Sequence, residues 1–417
     1  MQKNYKWYVV GMLWFVCFLN YADRQAVFVL FPLLRVQLHL STMQLGLLGS
    51  SFMWMYALFG PVAGWMGDRF SRRGLILGGL GFWLAITMAT IVSRNYWQLA
   101  VLRGLSGIAE ALYFPAAMSL ISNYHGPETR SRAMSLHQSA VYGGTVGGGV
   151  VASMAGERFG WRSNFILLGA VGLLLFLMLL VFLKEPVRAS TGPLEGGGEA
   201  GRVSIRRLLR EILGAPLVLR LMVVFIGANF VAMIFMTWLP SFLFGKFHMG
   251  LSAAGVNATV YQQAASVLGV LSGGVLADRM ARKSRSGRMR TQLIGLVMGV
   301  PFLLITGWAP SIPVLIGAMI GFGYCKGIYD SNTFAALHDV VPVELRASAV
   351  GITNSLGWLG GGLAPVAMAA ASERFGMSIC LSATSLVYAL AAGVMLWNPR
   401  ACSLAEAVSR RQASHAL

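Results

Sequence analysis

The sequence predicts an all-α membrane protein that crosses the bilayer twelve times, as two pseudo-symmetric bundles of six helices. Three observations lead to this prediction. Of the 417 residues, 56% are hydrophobic and only 12% are charged, whereas a soluble domain carries about 25% charged residues. Apolar segments of spanning length recur along the whole chain. Short polar motifs also recur at matching places in its two halves.

A helix needs about 20 consecutive, mostly apolar residues to cross the hydrocarbon core of a membrane. Twelve segments meet this requirement: roughly 7–34, 43–66, 74–93, 98–122, 132–155, 162–183, 216–244, 254–277, 291–309, 312–336, 347–370 and 378–397. The 50 glycines fit closely packed spans, because small residues let helix backbones approach one another. We predict a first bundle over 1–185, a cytoplasmic linker over 186–214, a second bundle over 215–398 and a cytoplasmic tail over 399–417.

The formal net charge of +18 would suit a nucleic-acid-binding protein if the basic residues formed one surface. They fall instead mainly in the loops on one side of the predicted membrane, as expected when basic loops orient a membrane protein. The opposite loops hold few of them, namely Arg94, Arg158, Arg162, Lys246 and Arg374. We therefore expect both termini in the cytoplasm, the lipid bilayer as a partner, and no nucleic acid.

Two pairs of similar segments relate the halves of the chain. GWMGDRFSRRG follows the second span and GGVLADRMARKS follows the eighth, which aligns Asp68 with Asp278. GERFGW and SERFGM align Glu157 with Glu373 at almost the same separation. Internal repeats of this kind are the usual construction of secondary transporters, in which the substrate site lies between the repeats near the middle of the membrane.

The shared pattern G-x-x-x-D-R-x-x-R-[RK] resembles the motif of the major facilitator superfamily, and the resemblance covers the whole chain. In that family the motif lies between helices 2 and 3 and between helices 8 and 9. An acid beside basic residues at helix ends can form charge-assisted hydrogen bonds that hold neighbouring helices together. The resemblance implies a conformational switch, and not substrate binding, for these residues. They are Gly64, Asp68, Arg69, Arg72, Arg73, Gly274, Asp278, Arg279, Arg282 and Lys283.

Three further segments resemble the anion:cation symporters: NYADR in the first span, RGLSGIAEALYFPA in the fourth and TRSRAMSLHQSA entering the fifth. Those symporters carry organic anions, such as hexuronates, together with protons or sodium ions. The spinster-like carriers of lysolipids share a similar N-Y-x-D-R and a fourth-helix R…G-x-x-E pattern, so both branches stay open. The fifth span has no glycine-proline pair, which disfavours the drug/proton antiporters.

Four charged residues lie well inside the first and fourth predicted spans, where a charge costs roughly 2.5–3.5 kcal/mol on insertion scales. Asp23 and Arg24 interrupt the first span. Arg103 and Glu110 are about two helical turns apart, on one face of the fourth span. Burial favours the neutral form of a carboxyl group and a nearby arginine favours the charged form, so exchange between such partners would couple protonation to conformation.

The resemblance to the symporters assigns a role to each of these charges. Asp23 and Glu110 would carry the coupling proton, Arg103 would pair with the acids, and Arg24 would bind a substrate carboxylate. The alternative is a static network of salt bridges that only locks helices together. A functional role for these four residues is the stronger hypothesis, because ionisable groups within a membrane usually mark substrate or proton pathways.

The tenth span departs from the symporter pattern in GFGYCKGIYDSNTF, which contains Lys326 and Asp330. The repeat aligns Lys326 with Glu110, so a base replaces an acid in the second half. Lys326 and Asp330 have the i, i+4 spacing of a helical ion pair, but a lysine that lines the cavity would also hold an anion. Both interpretations stay open.

Polar and aromatic residues on predicted cavity faces complete the candidate substrate site. By resemblance to the sugar-acid symporters, Tyr56 and Asn354 occupy substrate-contacting positions, whereas the substrate glutamine of their fifth helix is Val141 here. For each such residue, packing between helices is an equal alternative. The full set of substrate-binding candidates is Arg24, Tyr21, Tyr56, Gln138, Lys326, Tyr329, Asp330, Asn354 and Trp358.

These patterns favour a secondary active transporter that carries a small organic anion with a proton, or with sodium, by alternating access. The second hypothesis is a spinster-like, proton-linked lysolipid carrier. We expect no enzyme activity, cofactor or metal site, because the sequence has no nucleophile-base, phosphate-loop or metal-ligand pattern. The predicted location is the cell's inner membrane, and the predicted state is a monomer.

Overall fold

The computed structural model describes residues 2–185, 214–284, 286–341 and 346–396. Over these residues the chain forms fifteen α-helices and no β-strand. In chain order they are α1 (Gln2–Val29), α2 (Phe31–Gln37), α3 (Thr42–Arg69), α4 (Arg72–Ile91), α5 (Tyr96–Ala111), α6 (Tyr113–Tyr124), α7 (Pro127–Phe159), α8 (Trp161–Phe182), α9 (Pro216–Phe247), α10 (Leu251–Lys283), α11 (Gly287–Trp308), α12 (Ile312–Asp330), α13 (Thr333–Val340), α14 (Arg346–Phe375) and α15 (Met377–Leu396).

The fifteen helices occupy the twelve predicted spans, because three spans are each broken into two helices. Pro115 explains the break between α5 and α6, since a proline ring clashes with the carbonyl four residues earlier, here that of Ala111. Pro32, near the start of α2, accompanies the break between α1 and α2. The third break, between α12 and α13, falls at Ser331 and Asn332 without a proline.

Nine helical stretches of the described chain are long and apolar enough to cross a membrane. The three spans outside this set contain α1, α7 and α14. α1 packs along α7 within the first half, and α14 packs along α3 of the first half. The predicted all-α fold with twelve spans is confirmed.

The helices divide into a first half, α1–α8, and a second half, α9–α15. Within the halves, α1 packs on α7, α10 on α12, and α11 on α15. The halves meet mainly through α3 with α14 and α7 with α10. The predicted tail and, apart from residue 214, the predicted linker lie outside the described residues.

Helices α3 and α14 touch closely towards the start of α3. A Cβ added at Gly46 would lie 2.7 Å from the carbonyl oxygen of Pro365, so only glycine permits this approach. Further along the same face, the rings of Tyr56 and Trp358 lie 5.1 Å apart between centroids. This aromatic pair is near the middle of both helices.

Beyond the aromatic pair, α3 and α14 diverge. The contacting face of α3 continues through Gly60, Gly64 and Gly67, which recur every three or four residues. Around each of them, and around Gly351 on α14, no atom lies within 4 Å of an added Cβ among the described residues, the glycine's own helix backbone and chain neighbours aside. The two halves are therefore apart at the end that carries the 69–73 loop, which we call the motif end.

At the opposite end, which we call the closed end, α7 and α10 hold the halves together. Glu157, at the end of α7, accepts hydrogen bonds from the backbone nitrogen of Ser252, at 3.1 Å, and from the Ser252 hydroxyl. Ser252 lies in the first turn of α10, whose N-cap residue Gly250 makes no side-chain cap. The carboxylate of one half thus caps a helix of the other.

Candidate functional site

The four charged residues of the first and fourth spans form two buried ion pairs, which we call the charge cluster. Nε of Arg24 lies 2.7 Å from Oε2 of Glu110, and Nη1 of Arg103 lies 2.5 Å from Oδ2 of Asp23. Each pair joins α1 to α5, with the arginine on α1 in one and on α5 in the other. Consecutive residues point about 100° apart on a helix, so Asp23 and Arg24 reach separate partners.

An aromatic cage covers the guanidinium of Arg24. Its Cζ lies 4.5 Å from the ring centroid of Tyr21, 4.8 Å from Phe52, 4.7 Å from Tyr56 and 5.2 Å from Trp358. Cations within about 6 Å of such rings are attracted to their faces. Since Trp358 belongs to α14, the charge cluster of the first half is in contact with the second half.

The charge cluster leaves several polar atoms without hydrogen-bond partners among the described residues. They are Nη1 of Arg24, Nε and Nη2 of Arg103, and Oε1 of Glu110. Partly satisfied buried networks are costly, and a network that must exchange partners cannot satisfy every atom in each arrangement. This geometry suits a switch better than a rigid clamp.

A separate cavity of about 150 Å³ lies between the halves. Helices α9, α10 and α12 form most of its wall, and α1 and α7 contribute one residue each. Its lining residues are Gln25, Thr145, Phe225, Ala228, Asn229, Ala232, Met233, Met236, Ala258, Thr259, Gln262, Gln263, Lys326 and Asp330. We call it the central cavity.

The charged groups of the central cavity are Lys326 and Asp330 of α12, one helical turn apart. Nζ of Lys326 donates a hydrogen bond to Oδ2 of Asp330. The side chain of Lys326 keeps 18% of its surface exposed and that of Asp330 keeps 33%. This pair is therefore accessible, whereas no side chain of the charge cluster exceeds 7% exposure.

The structure brings together only part of the predicted site. Tyr21, Tyr56 and Trp358 join Arg24, as the aromatic cage shows, but Lys326 and Asp330 lie in the central cavity. The remaining candidates join neither group: Tyr329 is buried at 2% exposure beside α11, Gln138 is exposed on α7, and Asn354 is half-buried on α14.

Several cavity residues were missed by the sequence analysis. Gln25 directly follows the charged pair on α1; its Nε2 donates to the carbonyl of Met236, and its buried Oε1 has no partner among the described residues. Asn229 donates to the carbonyl of Gly357, at 2.5 Å. Gln263 also lines the wall. The available signal was an amide inside an apolar span, which packing explains equally well.

At the motif end, residues of the first motif form hydrogen bonds with the end of α8 and the residues that follow it. Nη2 of Arg73 donates to the carbonyl of Leu180, and Glu185 accepts hydrogen bonds from Ser71 and from the backbone of Arg72. Burial raises the pKa of Glu185, but these hydrogen bonds outweigh it and hold the pKa below its ordinary value. The loop after α3 is thus tied to the end of α8.

The remaining motif residues show fewer contacts. The side chain of Asp68 lies outside the described part of the structure. Asp278, Arg279, Arg282 and Lys283 are exposed, and none of them forms an ion pair with another described side chain. In this half the ion pair near the motif end is Arg288 with Asp339, at 2.5 Å. The predicted latch role of the motif stays a prediction.

The fold and the site define a polytopic membrane transporter built from two six-helix halves. The chain matches the family model of the Major Facilitator Superfamily over residues 13–365 and again over residues 243–414. It therefore belongs to this superfamily, whose members are transporters and not enzymes.

Individual relatives are distant. An uncharacterized transporter, YybO, of Bacillus subtilis is 24% identical over 92% of this chain and 87% of its own. The hexuronate transporter of the same bacterium is 25% identical over 86% of each chain. Human protein spinster homolog 1 is 26% identical over 72% of this chain, but over only 59% of its own length.

A solved structure has the same fold. It is a bacterial homologue of the human lysosomal transporter spinster, in an inward-facing and unoccupied conformation. It superposes with a TM-score of 0.84 over 94% of this chain and 96% of the other, at 22% sequence identity. At this identity the likeness concerns the fold.

Proposed function

We propose that the protein is a secondary active transporter that carries a small organic anion together with a proton, by alternating access. The observation that carries this proposal is the central cavity, where a lysine and several amides face a space between two pseudo-symmetric halves. Anionic solutes need such a cation, and amides provide hydrogen-bond partners for hydroxyl groups. Relatives named as hexuronate and galactarate/D-glucarate transporters support the choice of a sugar acid.

The proposed coupling site is the charge cluster. Asp23 and Glu110 exchange a proton, and Arg103 and Arg24 stabilise their charged forms. The substrate candidates Tyr21, Tyr56 and Trp358 act here by covering Arg24. Sodium is the alternative coupling ion, since it also neutralises a carboxylate. Transport follows when binding favours one facing of the halves over the other.

The proposed orientation places the motif end in the cytoplasm. The basic loop residues Arg69, Arg72 and Arg73 lie there, and basic residues mark the cytoplasmic side of membrane proteins. In this orientation the structure is open to the inside, both termini are cytoplasmic, and the protein functions as a monomer in the inner membrane.

The second candidate function is a spinster-like lysolipid carrier. The likeness to human protein spinster homolog 1 and to its bacterial homologue favours it. A lysolipid needs room for an acyl chain, however, and the central cavity has a volume of only about 150 Å³. A small polar solute suits the central cavity better.

Ligand-induced thermal stabilisation of the purified protein tests this proposal. The ligands are D-glucuronate, galactarate, D-glucarate and lysophosphatidylcholine, each at pH 5.5 and pH 7.5. A ligand at 100 times its dissociation constant stabilises the folded state by about 2.7 kcal/mol, so we expect a clear rise in melting temperature with one sugar acid. Stabilisation by lysophosphatidylcholine alone would contradict the anion proposal and support the lipid carrier.

A further inference from the structure

The accessible ion pair of the central cavity has no role in the coupling site proposed above. Its Lys326 is positioned to meet an anion, because its side chain faces the cavity and retains 18% exposure. Arg24 is not so positioned: it is 6% exposed, bound to Glu110 and covered by four rings. An anion that enters the central cavity therefore meets Lys326 first.

Asp330 already pairs with the ammonium group of Lys326, which is the positive charge that such an anion requires. Lys326 and Asp330 neutralise each other, so the unloaded cavity carries no net charge from this pair. An added carboxylate would leave one uncompensated negative charge, which is expensive in a low-dielectric site. Binding becomes favourable when one cation enters with the anion.

We propose that the substrate carboxylate displaces Asp330 from Lys326, and that the freed Asp330 carboxylate takes up the coupling cation. This inference rests on the proposed function and adds a second coupling site, in the second half of the molecule. One anion and one monovalent cation enter together, so the net charge of the cavity is the same before and after loading. The cation is a proton or a sodium ion, and the experiment below distinguishes them.

The walls of the cavity define the substrate class further. Gln25 and Gln262 are buried polar residues at 2% and 6% exposure, and Gln25 presents an unpartnered Oε1. Together with Asn229 and Gln263, they offer amide donors and acceptors in the same cavity as Lys326. The site therefore fits a small carboxylate that carries several hydroxyl groups.

The other titratable groups around the pair do not compete for this role. Tyr142 of α7, Tyr329 of α12 and Tyr388 of α15 are near enough to interact electrostatically with Lys326 or Asp330. Tyrosine ordinarily ionises only near pH 10, so these residues stay neutral in an assay between pH 5.5 and 8. The lining residues from α9 and α10 are neutral, and α11 meets α12 through glycines such as Gly295.

The test measures binding and gradient-driven uptake of labelled D-glucuronate, with galactarate as a second probe, in proteoliposomes. One arm imposes a pH gradient without sodium, and the other imposes a sodium gradient at constant pH. For Asp330→Asn we expect binding at least as tight as in the wild type and intact exchange, but loss of uptake under the gradient that drives the wild type. For Lys326→Gln we expect at least tenfold weaker binding, and for Lys326→Arg and Asp330→Glu near-normal behaviour.

The control variant is Asp339→Asn, which removes another ion pair of the second half, that with Arg288, away from the cavity. Melting curves establish that each variant is folded. If Asp330→Asn does not fold, the double variant Lys326→Gln/Asp330→Asn replaces it. This variant keeps the pair neutral and should bind no anion. Gradient-driven uptake that persists in Asp330→Asn, or unchanged binding in Lys326→Gln, overturns the inference but leaves the proposed function standing. A wild type that binds none of D-glucuronate, galactarate and D-glucarate refutes both the inference and the sugar-acid proposal.

Discussion

Phe52 lies between the two buried arginines, 4.8 Å from Arg24 and 4.5 Å from Arg103 between the guanidinium carbon and the ring centroid. Each arginine also has a carboxylate partner on the opposite helix. Removal of one partner of a buried pair ordinarily costs about 3–5 kcal/mol, because it leaves an uncompensated charge. Arg103 also interacts electrostatically with Glu110, the acid of the other pair, so an exchange of partners leaves less charge uncompensated than the loss of one partner.

The first prediction concerns the acids of the charge cluster. We expect Asp23→Asn and Glu110→Gln to abolish proton-driven uptake while substrate exchange continues, because a permanently neutral amide cannot gain or lose the coupling proton. The measurement is labelled sugar-acid uptake under a pH gradient, compared with counterflow without one. Asp339→Asn is the control, and full proton-driven uptake in both variants would remove the coupling role.

For individual residues, the sequence predicts the charged members of the candidate site well and the amide members poorly. Asp23 and Glu110 are conspicuous in apolar spans, because a charge there needs a partner or a function. Gln25 and Asn229 are not, since an amide between helices is as often a packing group. The pairing pattern was also beyond the sequence, because it depends on how α1 and α5 are rotated against each other.

Among the helices, α3 and α14 give the clearest indication of an interface that opens and closes. Their facing positions touch from Gly46 to Trp358 and separate beyond it, although small residues continue along both faces. A glycine that no neighbouring helix contacts does not contribute to close helix packing in the present conformation. We infer that Gly64 and Gly351, which continue the contacting faces, are contact points of the opposite conformation.

The second prediction follows for Gly64→Val. The added side chain meets open space in this structure, so we expect normal folding and ligand binding, but loss of uptake, because the motif end cannot close. Uptake and ligand-induced thermal stabilisation are measured on the same preparation. Gly78→Val on α4, where an added Cβ also meets no atom within 4 Å in the described chain, is the matched control. Normal uptake by Gly64→Val would refute the proposed closure.

The third prediction concerns pH and the closed end. Hydrogen bonds from Ser252 lower the pKa of Glu157, beyond the predicted fifth span, from its ordinary value of 4.5. Since this pKa is depressed in the closed arrangement, the contact stabilises closure above about pH 4.5 and loses that effect as the pH falls through the depressed value. We expect the closed end to open more often at pH 4 than at pH 7.

Spin labels at Phe159→Cys and Ala253→Cys, in a background without native cysteines, measure this opening as a change in distance distribution. Glu157→Gln should open more at both pH values and lose the pH dependence. Glu373→Gln is the control, because Glu373 holds the matching position in the second half and forms no ion pair with a described residue. An identical pH response in Glu157→Gln would contradict the role of this contact.

For the whole molecule, the halves and their twelve spans could be predicted because repetition and hydropathy act over the entire chain. The relative arrangement of the halves could not. A carrier has two arrangements of nearly equal free energy, and one sequence must suit both. The contact of Glu157 with Ser252 and the gap around Gly64 show which arrangement is present. Neither feature could be predicted from the repeated motifs.

Uptake into proteoliposomes measures the proposed proton-coupled transport of a sugar acid. Proteoliposomes receive labelled D-glucuronate, galactarate or D-glucarate with and without an inward proton gradient, and a protonophore serves as the control. We predict that one of these acids accumulates above its external concentration only while the gradient lasts. Equilibration without accumulation, or transport of lysophosphatidylcholine in place of all three acids, would contradict the account.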